Sequence, residues 1–382
     1  MRIRMGRLLI LSSGFWKDES INPSGALLQT YYAARIASES GWRVDYITFS
    51  RDEKKWGHIV DEEGITVHYL RSRRVDIVNY PVLMSYASRL EYDVVYQRGR
   101  SWLTYAAGRL ARRRGARFVW ASSAQEGLER FKRIYKLWRK DKSFIRKALL
   151  TPLALVEDFM IQGGISMADV ILVQNTLQKE RACQLWKKKS VAVIPNMQPE
   201  VDVYPRKEFP VKIAWAGSLV KWKRPWVFVR LAEMLGKSFE FFMMGDGNRV
   251  YLKTDENLAN FHYLGRVSNE KVNEVMERAW FVVNTSENRR EGIPNAVVQG
   301  AMRGAVPISM NEDYGFLPPS LVVRSLEEAA SLIRSLSRNM EEYTRLSREM
   351  FERANRMFGY RTNGRKLLKI LSGEFHETAC GK

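Results

Sequence analysis

Short apolar runs alternate along the chain with longer segments in which apolar residues recur three and four positions apart. The first run, Arg7–Ser12, precedes a segment of helical period at Gly25–Ser40, and a second run follows at Val44–Phe49. Short apolar runs predict buried strands, and the three-and-four spacing predicts helices. The same reasoning predicts one long helical region at Glu126–Met167 and a late strand at Leu321–Val323. Because strands and helices alternate, we predict an α/β fold with a parallel sheet and right-handed crossovers.

The alternation is interrupted once, between Pro195 and Pro210. This stretch is polar and has no apolar period, which predicts a linker. The alternation then resumes with a strand at Val211–Ala216 and a helix at Pro225–Leu235. A chain of 382 residues fits two or three domains of about 150 residues each. We therefore predict two α/β domains of similar size.

The cysteine, histidine and apolar content limits the kinds of site that the chain can form. The two cysteines, Cys183 and Cys380, are too few and too far apart for a disulfide framework or a metal knuckle. The four histidines show no metal-ligand spacing, so we expect no metal site. Because the chain has so few cysteines, we expect a reducing cytoplasm. The most apolar segment, Ala148–Met160, is interrupted by Glu157 and Asp158, so we expect no membrane-spanning helix.

The net charge of +20 calls for an anionic partner, either nucleic acid, a membrane surface or phosphorylated small molecules. The region Arg130–Lys147 places aromatic and aliphatic residues three and four apart among lysines and arginines. This pattern suits a basic amphipathic helix on an anionic lipid surface. It equally suits a solvated helix whose aromatic side packs on the domain. The chain has no helix-turn-helix, zinc finger or RNA-binding aromatic motif, which argues against nucleic acid.

The segment Val282–Met310 has the most informative order of residues. A predicted strand is followed by a polar loop, by Glu291-Gly292-Ile293-Pro294-Asn295, and by a helix that ends at Gly304. Proline suits the first helical turn, so the helix is predicted to begin at Pro294. The N–H groups of Gly292 and Ile293 would then lie ahead of the positive helix end, where they can bind an anion.

The sequence EGIPNAVVQGAMRGAVPI, residues 291–308, resembles the signature of retaining glycosyltransferases of family 4, which have the GT-B fold. The resemblance implies that Glu291 lies near the donor sugar and is catalytic, with residues 292–295 in the donor loop. Gln299 stands where the family has a second Glu that holds the ribose hydroxyls. A glutamine can hydrogen-bond to hydroxyls, although it supplies no charge.

A second motif, IAWAGSLVKWKRP at residues 213–225, resembles the family segment that binds the donor diphosphate. Gly217 makes the turn after the strand, and Lys223 matches the family's lysine. Ser218 stands where the family usually has an arginine. Lysine neutralises a diphosphate as a point charge, whereas arginine binds it through two hydrogen bonds. Lys221 or Arg224 can supply the missing charge.

Weaker likenesses add further candidates. In LGRVS, Arg266 or Val267 stands where the family's backbone contacts the nucleobase. Ser24 and Gly25 end a long loop at a helix start, where the backbone can approach a phosphate or an acceptor. Many family members have a histidine after the strand equivalent to residues 94–96, and this chain has Arg98 nearby instead. Arg98 can stabilise charge in the reaction or bind the acceptor.

An ion pair offers a simpler interpretation of Arg98. Its partner would be Asp93 or Glu126.

The resemblance covers almost the whole chain and implies two Rossmann-like domains that face each other across a cleft. Residues 1–196 would bind the acceptor, residues 197–357 the nucleotide sugar, and residues 358–382 would return to the first domain as a helix and tail. The implied function is retaining transfer from a nucleotide-diphosphate sugar to a lipid-linked or polysaccharide glycan at the cytoplasmic membrane face. No Asp-x-Asp follows a strand, so we expect no metal and no other cofactor. The alternative is a degenerate GT-B protein that binds a nucleotide sugar without transferring it.

Overall fold

The computed structural model describes residues 6–18, 24–73, 76–139, 143–187, 189–252, 258–287, 293–311, 315–375 and 380. The chain forms two compact units. The first unit comprises residues 1–197 and 363–382, and the second comprises residues 198–362.

The first unit contains an eight-stranded sheet in the order β3-β4-β2-β1-β5-β6-β7-β8. All neighbours pair in parallel except β3, which is antiparallel to β4. The inner strands are apolar on both faces because helices cover both sides of a parallel sheet. The strands are β1 (Arg7–Leu11), β2 (Arg43–Ser50), β3 (Ile59–Glu62), β4 (Ile65–Arg71), β5 (Val94–Arg98), β6 (Arg117–Ala121), β7 (Val170–Val173) and β8 (Ser190–Val193).

Polar residues at the N-termini begin several helices of the first unit. Ser24, Ser101 and Asn175 each accept a hydrogen bond from a backbone N–H of the first turn. Gly115 ends one helix in the left-handed conformation, with φ of 65°. The helices are α1 (Gly25–Glu39), α2 (Tyr80–Ala87), α3 (Trp102–Arg114), α4 (Lys132–Arg139), α5 (Phe144–Met167) and α6 (Thr176–Leu185).

The second unit contains a five-stranded parallel sheet in the order β11-β10-β9-β12-β13. Its strands are β9 (Val211–Ala216), β10 (Phe239–Met244), β11 (Phe261–Gly265), β12 (Phe281–Asn284) and β13 (Val306–Ser309). Its helices are α7 (Pro225–Leu235), α8 (Asn269–Arg278), α9 (Asn295–Ala301), α10 (Leu326–Arg338) and α11 (Met340–Phe358). The last helix, α12 (Tyr360–Ser372), begins in the second unit and continues into the first. The predicted α/β class with two parallel sheets is confirmed.

One predicted strand is wrong. The late strand predicted at Leu321–Val323 is a short 3-10 turn, Pro319–Leu321, followed by a single bridge from Val322 to Ser309. Pro318 and Pro319 stand just before the predicted strand, and the fixed φ of proline favours the turn that takes up its first residue. The helical region predicted at Glu126–Met167 contains a 3-10 turn, Gln125–Leu128, and the helices α4 and α5.

The structure also corrects the expectation that the cysteines stay apart. Cys183 of α6 and Cys380 near the C-terminus form a disulfide across a sequence separation of 197 residues. Their distance along the sequence argued against pairing, but both residues belong to the first unit. The fold brings them to a Cα–Cα distance of 5.1 Å, within the usual range for a disulfide.

This pairing predicts that the protein purified without reductant contains no reactive thiol. A thiol reagent applied to the denatured, unreduced chain should label no cysteine, and after reduction it should label both, because Cys183 and Cys380 are the only two. Labelling of both residues before reduction, in protein protected from added reductant throughout, would contradict the disulfide.

Candidate functional site

The predicted site residues of the second unit lie in loops that follow β9, β11 and β12. These strands are parallel, so their carboxyl ends lie at one edge of the sheet. In open α/β sheets this edge is where ligands bind. The central strand β9 pairs with β10 on one side and β12 on the other, which places the loops after these three strands side by side.

Two glycines allow the loops after β9 and β10 to touch. A Cβ on Gly245 would stand 1.8 Å from the Gly217 carbonyl oxygen, and Gly245 has φ of 142°. Both facts restrict this position to glycine. The Gly217 N–H donates to the Met244 carbonyl at 3.0 Å, and the Leu219 N–H donates to the Asp246 carbonyl at 2.8 Å. The turn at Gly217 is therefore held by backbone contacts with its neighbour.

The Lys223 side chain lies against this turn. A Cβ on Gly217 would stand 3.1 Å from Cδ of Lys223 and 3.2 Å from its Nζ. The same Nζ lies 5.1 Å from the centroid of the Trp222 ring, a cation–π arrangement. The structure thus brings together Gly217 and Lys223, the two residues for which the diphosphate motif predicted a joint role. Ser218, between them in sequence, is exposed.

Thr285 connects the Lys223 loop to the loop after β12. Its side chain is fully buried, and its hydroxyl donates to the Lys223 carbonyl at 2.6 Å while accepting from Trp215 Nε1 at 3.0 Å. A second link joins the Glu287 N–H to the Trp222 carbonyl at 2.8 Å. The loop that leads to the predicted catalytic segment is therefore bonded directly to the loop that carries Lys223.

The two residues considered as replacements for the family's arginine have different surroundings. Arg224 has φ of 47°, and its guanidinium donates to the carbonyls of Thr285 at 2.6 Å and Ser286 at 3.4 Å. It therefore ties the two loops together. Lys221 is exposed to solvent at the start of the same turn. Of the two, Lys221 is the side chain that can turn toward an added anion.

The predicted catalytic Glu291 and its neighbour Gly292 lie outside the described residues. The structure resumes at Ile293, which is half-buried, and Pro294 is the N-cap of α9 rather than its first residue. Asn295 is the first helical residue. The helix ends at Ala301, before the predicted end at Gly304, and a turn leads to Gly304 with φ of 72°.

Gln299 lies on the buried side of α9 and is bonded to α8. Its Nε2 donates to Oδ1 of Asn269 at 2.8 Å and to Oδ1 of Asn273 at 3.1 Å. These two bonds use both hydrogens of the amide. The group that remains for a ribose hydroxyl is therefore the Oε1 acceptor.

The residues predicted to contact a nucleobase lie just past β11. Arg266 is exposed, whereas Val267 is partly buried against an apolar cluster beneath α8. The Gly245 N–H donates to the Gly265 carbonyl at 2.7 Å, so the end of β11 is held to the same glycine that contacts Gly217. All the described candidates of the second unit thus lie at one edge of its sheet or on α9.

The candidates of the first unit occupy a separate region. Arg98 ends β5 and donates to Oδ1 of Asn196 at 2.8 Å, while Asp93 and Glu126 pair with Arg7 and Lys132 instead. The Arg98 Nε is buried without a hydrogen-bond partner in the described structure. It borders a cavity of about 10 Å³, room for one water molecule.

Ser24 and Gly25 begin α1. The Ser24 hydroxyl accepts from the Leu27 N–H at 3.4 Å, so it serves as the helix N-cap. Gly25 is the exposed first residue of the helix.

Sequence reasoning missed the residues that support the site rather than form it. Thr285, Asn269 and Asn273 hold Lys223 and Gln299 in place. A signal for Thr285 existed, because a buried strand that ends in consecutive polar residues often places them at the ligand edge of the sheet. The two asparagines lie on a helix whose polar residues resemble any solvated face.

Solved structures with the same architecture cover nearly the whole chain. Sucrose-phosphate synthase from Thermosynechococcus elongatus is 12% identical with a TM-score of 0.71, over 97% of this chain and 99% of that one. HepE of Anabaena, solved with UDP-glucose, is 13% identical with a TM-score of 0.69, over 96% and 100%.

A third example is the α,α-trehalose-phosphate synthase of Burkholderia xenovorans, solved with glucose-6-phosphate. It is 10% identical with a TM-score of 0.63, over 96% of this chain and 100% of that one.

The chain has the GT-B fold. No protein-family model matches it, and neither does any curated protein. At identities of 10–13% the likeness establishes the GT-B fold and not the reaction. Membership of family 4 stays a prediction.

The contact between the two glycines predicts a strong effect of one methyl group. Gly245→Ala should destabilise the second unit by more than about 3 kcal/mol, because Cβ would overlap the Gly217 carbonyl and φ would be strained. The matched control is Gly115→Ala, whose φ of 65° and ψ of 20° are left-handed helical and whose Cβ would have no described atom within 4 Å. It should cost about 1–2 kcal/mol. Equal losses in urea unfolding would contradict the close approach.

Proposed function

We propose that this protein is a glycosyltransferase that moves a sugar from a nucleotide-diphosphate sugar to an acceptor. The observation that carries the proposal is the Lys223 amine seated on the Gly217 turn at the carboxyl edge of a parallel sheet. A cation beside a glycine turn can neutralise a diphosphate that approaches the backbone closely. HepE, which shares the fold, was solved with UDP-glucose and with UDP, which supports this donor class.

Each motif residue has a role in the proposed donor complex. Lys223 binds the diphosphate, with Lys221 beside it as a second cation. The segment Gly292–Asn295 contributes the backbone ahead of α9, and Gln299 accepts a hydrogen bond from a ribose hydroxyl through Oε1. Arg266 or Val267 borders the nucleobase.

The proposed chemistry is transfer with retention and without a metal ion. Glu291 lies near the donor sugar, and the leaving phosphate helps to deprotonate an acceptor that attacks from the same face. This scheme needs stabilisation of the charge on the leaving diphosphate more than it needs a protein nucleophile. Lys223 supplies that stabilisation, so no metal is required for it. Arg98 contributes to acceptor binding.

The proposed acceptor is a lipid-linked or polysaccharide glycan at the cytoplasmic face of a membrane. The net charge of +20 supports an acceptor on an anionic surface. The disulfide between Cys183 and Cys380 removes cysteine usage as a reason to place the protein in a reducing compartment. The cytoplasmic placement therefore rests on the proposed donor and acceptor classes.

A thermal-shift screen against UDP, GDP, ADP and their sugar conjugates tests the donor proposal. Nucleotides with one particular base should stabilise the protein by about 4 kcal/mol when the ligand concentration is a thousandfold above the dissociation constant. Lys223→Ala should lose this shift. Lys237→Ala is the matched control, since it removes the same charge from an exposed position just before β10, at the opposite edge of the sheet, and should keep the shift. Absence of any shift in the wild type would refute the proposal.

Glu291→Ala separates transfer from binding. The variant should bind the nucleotide as the wild type does but should lose slow hydrolysis of the donor sugar into water, followed as free sugar over time. If the wild type binds the donor and releases no sugar with or without glycan acceptors, the protein is the degenerate binding form.

Gln299→Glu tests the ribose contact. The asparagine amides can rotate to donate to the new carboxylate, which then offers ribose a charge-assisted acceptor of about twice the strength. We expect several-fold tighter binding of the preferred nucleotide by calorimetry, and a lower melting temperature of the free protein because the new carboxylate is buried. Asn273→Asp, which places a carboxylate on α8 instead, should not tighten binding. Weaker binding by Gln299→Glu would show that this position does not face the ribose.

A further inference from the structure

The helix α5 exposes a continuous apolar stripe over its first four turns. Ile145, Leu149, Leu153 and Val156 follow one another at spacings of four, four and three, which places them on one face of a helix. Their exposed fractions are 71%, 76%, 51% and 51%. The stripe is about 16 Å long at 1.5 Å per residue. Side chains of this kind are normally buried, so a row of them in solvent requires a partner.

The neighbouring helix α4 widens the stripe with aromatic rings. Phe131, just before α4, makes an edge contact with Phe159 at 5.6 Å between ring centroids, and Trp138 does the same with Phe144 at 5.9 Å. The Trp138 indole N–H also donates to the Thr151 hydroxyl at 3.2 Å. We call this surface the hairpin face; its exposed members are Phe131, Tyr135, Trp138, Phe144, Ile145, Leu149, Leu153, Val156 and Phe159.

The hairpin face is presented by a firmly anchored structure. Asp158 of α5 is fully buried, and its carboxylate accepts from Arg100 at 2.7 Å and from the Arg133 and Ile134 N–H groups at 2.8 and 3.1 Å. These bonds cap α4 and hold it to α5. Burial lowers the pKa of Arg100, and the Asp158 carboxylate opposes that effect. The stripe is therefore exposed because the fold holds it outward.

The second half of α5 packs on α3. A Cβ on Gly164 would stand 2.6 Å from the Thr104 carbonyl, so the two helix backbones are in close contact. By length and composition alone, α5 could cross a membrane, and among the described helices it alone passes that test. Only Phe144–Phe159 is available for lipid, however, and this segment is about 24 Å long, less than the roughly 30 Å of a bilayer core.

The charges around the hairpin face favour an anionic partner. Between residues 130 and 147 the structure describes seven lysines and arginines. Lys132 and Lys136 pair with Glu126, and Arg133 pairs with Glu157, so the described basic residues outnumber these two acids. Arg139 stacks on the exposed Tyr135 ring at 5.2 Å and donates to its hydroxyl at 3.0 Å. Lys147 donates to the Trp138 carbonyl at 3.2 Å, at the edge of the aromatic cluster. Basic side chains beside aromatic and aliphatic ones are typical of helices that lie in the interface of anionic lipids.

We propose that the hairpin face inserts into the interface of an anionic lipid bilayer, with α4 and α5 lying in the membrane plane. The inference deepens the proposed function, on which it rests for the lipid-linked acceptor that such docking would bring within reach. A second copy of the chain is the competing occupant. The concentration of cations at this face disfavours it, because two such faces would repel each other.

Flotation of the full chain with vesicles tests the proposal. Wild type should bind phosphatidylcholine vesicles that contain phosphatidylglycerol and bind pure phosphatidylcholine at least about tenfold more weakly. Leu149→Ser with Leu153→Ser should weaken binding to the anionic vesicles by about tenfold or more, since two inserted leucines are lost. The matched control is Ile59→Ser with Val203→Ser. The two replaced side chains are 58% and 77% exposed and lie outside the hairpin face, so this variant should bind the vesicles as wild type does.

A second double variant tests the contribution of positive charge to vesicle binding. Arg139→Gln with Arg146→Gln should weaken anionic-vesicle binding about tenfold, with two cations removed at the surface. Arg112→Gln with Arg113→Gln removes the same charge from exposed positions on α3 and should have less effect. All variants should keep the wild-type melting temperature, since the replaced side chains are exposed. Their nucleotide-induced thermal shifts, measured without lipid, report on the donor proposal independently.

Three outcomes would overturn the inference. The first is equal vesicle binding by wild type and the Leu149/Leu153 variant, and the second is equal binding to neutral and anionic vesicles. The third is self-association of lipid-free wild type that the Leu149/Leu153 variant abolishes, which would assign the face to a second copy. The single variant Leu149→Gln is a second test in case the double serine variant misfolds. It should show a smaller loss of binding to anionic vesicles.

Discussion

The candidate donor site depends on the hydroxyl group of Thr285. It is buried at the end of β12, where it bonds the indole of Trp215 in β9 and the backbone carbonyl of Lys223. A valine of similar shape would leave an indole N–H and a carbonyl unpaired in the interior, at a cost of about 1–3 kcal/mol for each group. One short side chain thus determines where the loop after β9 lies relative to the loop that leads to Glu291.

Backbone constraints complete this arrangement on the other side of β9. Gly217 and Gly245 approach so closely that neither strand end can move without the other. Arg224 adds two bonds from its guanidinium to the carbonyls of the β12 loop. The turn that carries Lys223 is therefore held by the loops after β10 and β12. A charge held in this way needs little reorganisation when an anion arrives, which is the main requirement for electrostatic stabilisation.

The sequence could predict those features that depend on local patterns. Apolar runs and helical periods identified most of the parallel strands and the two-sheet architecture, and the order of residues around Gly217 and Lys223 identified a turn and a cation that the structure brings together. Pairings between distant residues could not be predicted. Asn269 and Asn273 are 30 and 26 residues from Gln299, and uncharged amides leave no distinctive pattern. The sequence also could not show which of Lys221 and Arg224 can turn toward an anion, because this depends on the left-handed backbone conformation of Arg224.

The covalent link between Cys183 and Cys380 has a consequence for the integrity of the molecule. The chain leaves the first unit after residue 197 and returns at residue 363, so the whole second unit lies inside the ring that the disulfide closes. A single break in the peptide backbone anywhere from residue 198 to residue 362 would leave both fragments in one covalent molecule. In the oxidised protein, a protease that nicks a loop of the second unit would not release its C-terminal part, and that part would stay tethered where it can fold back.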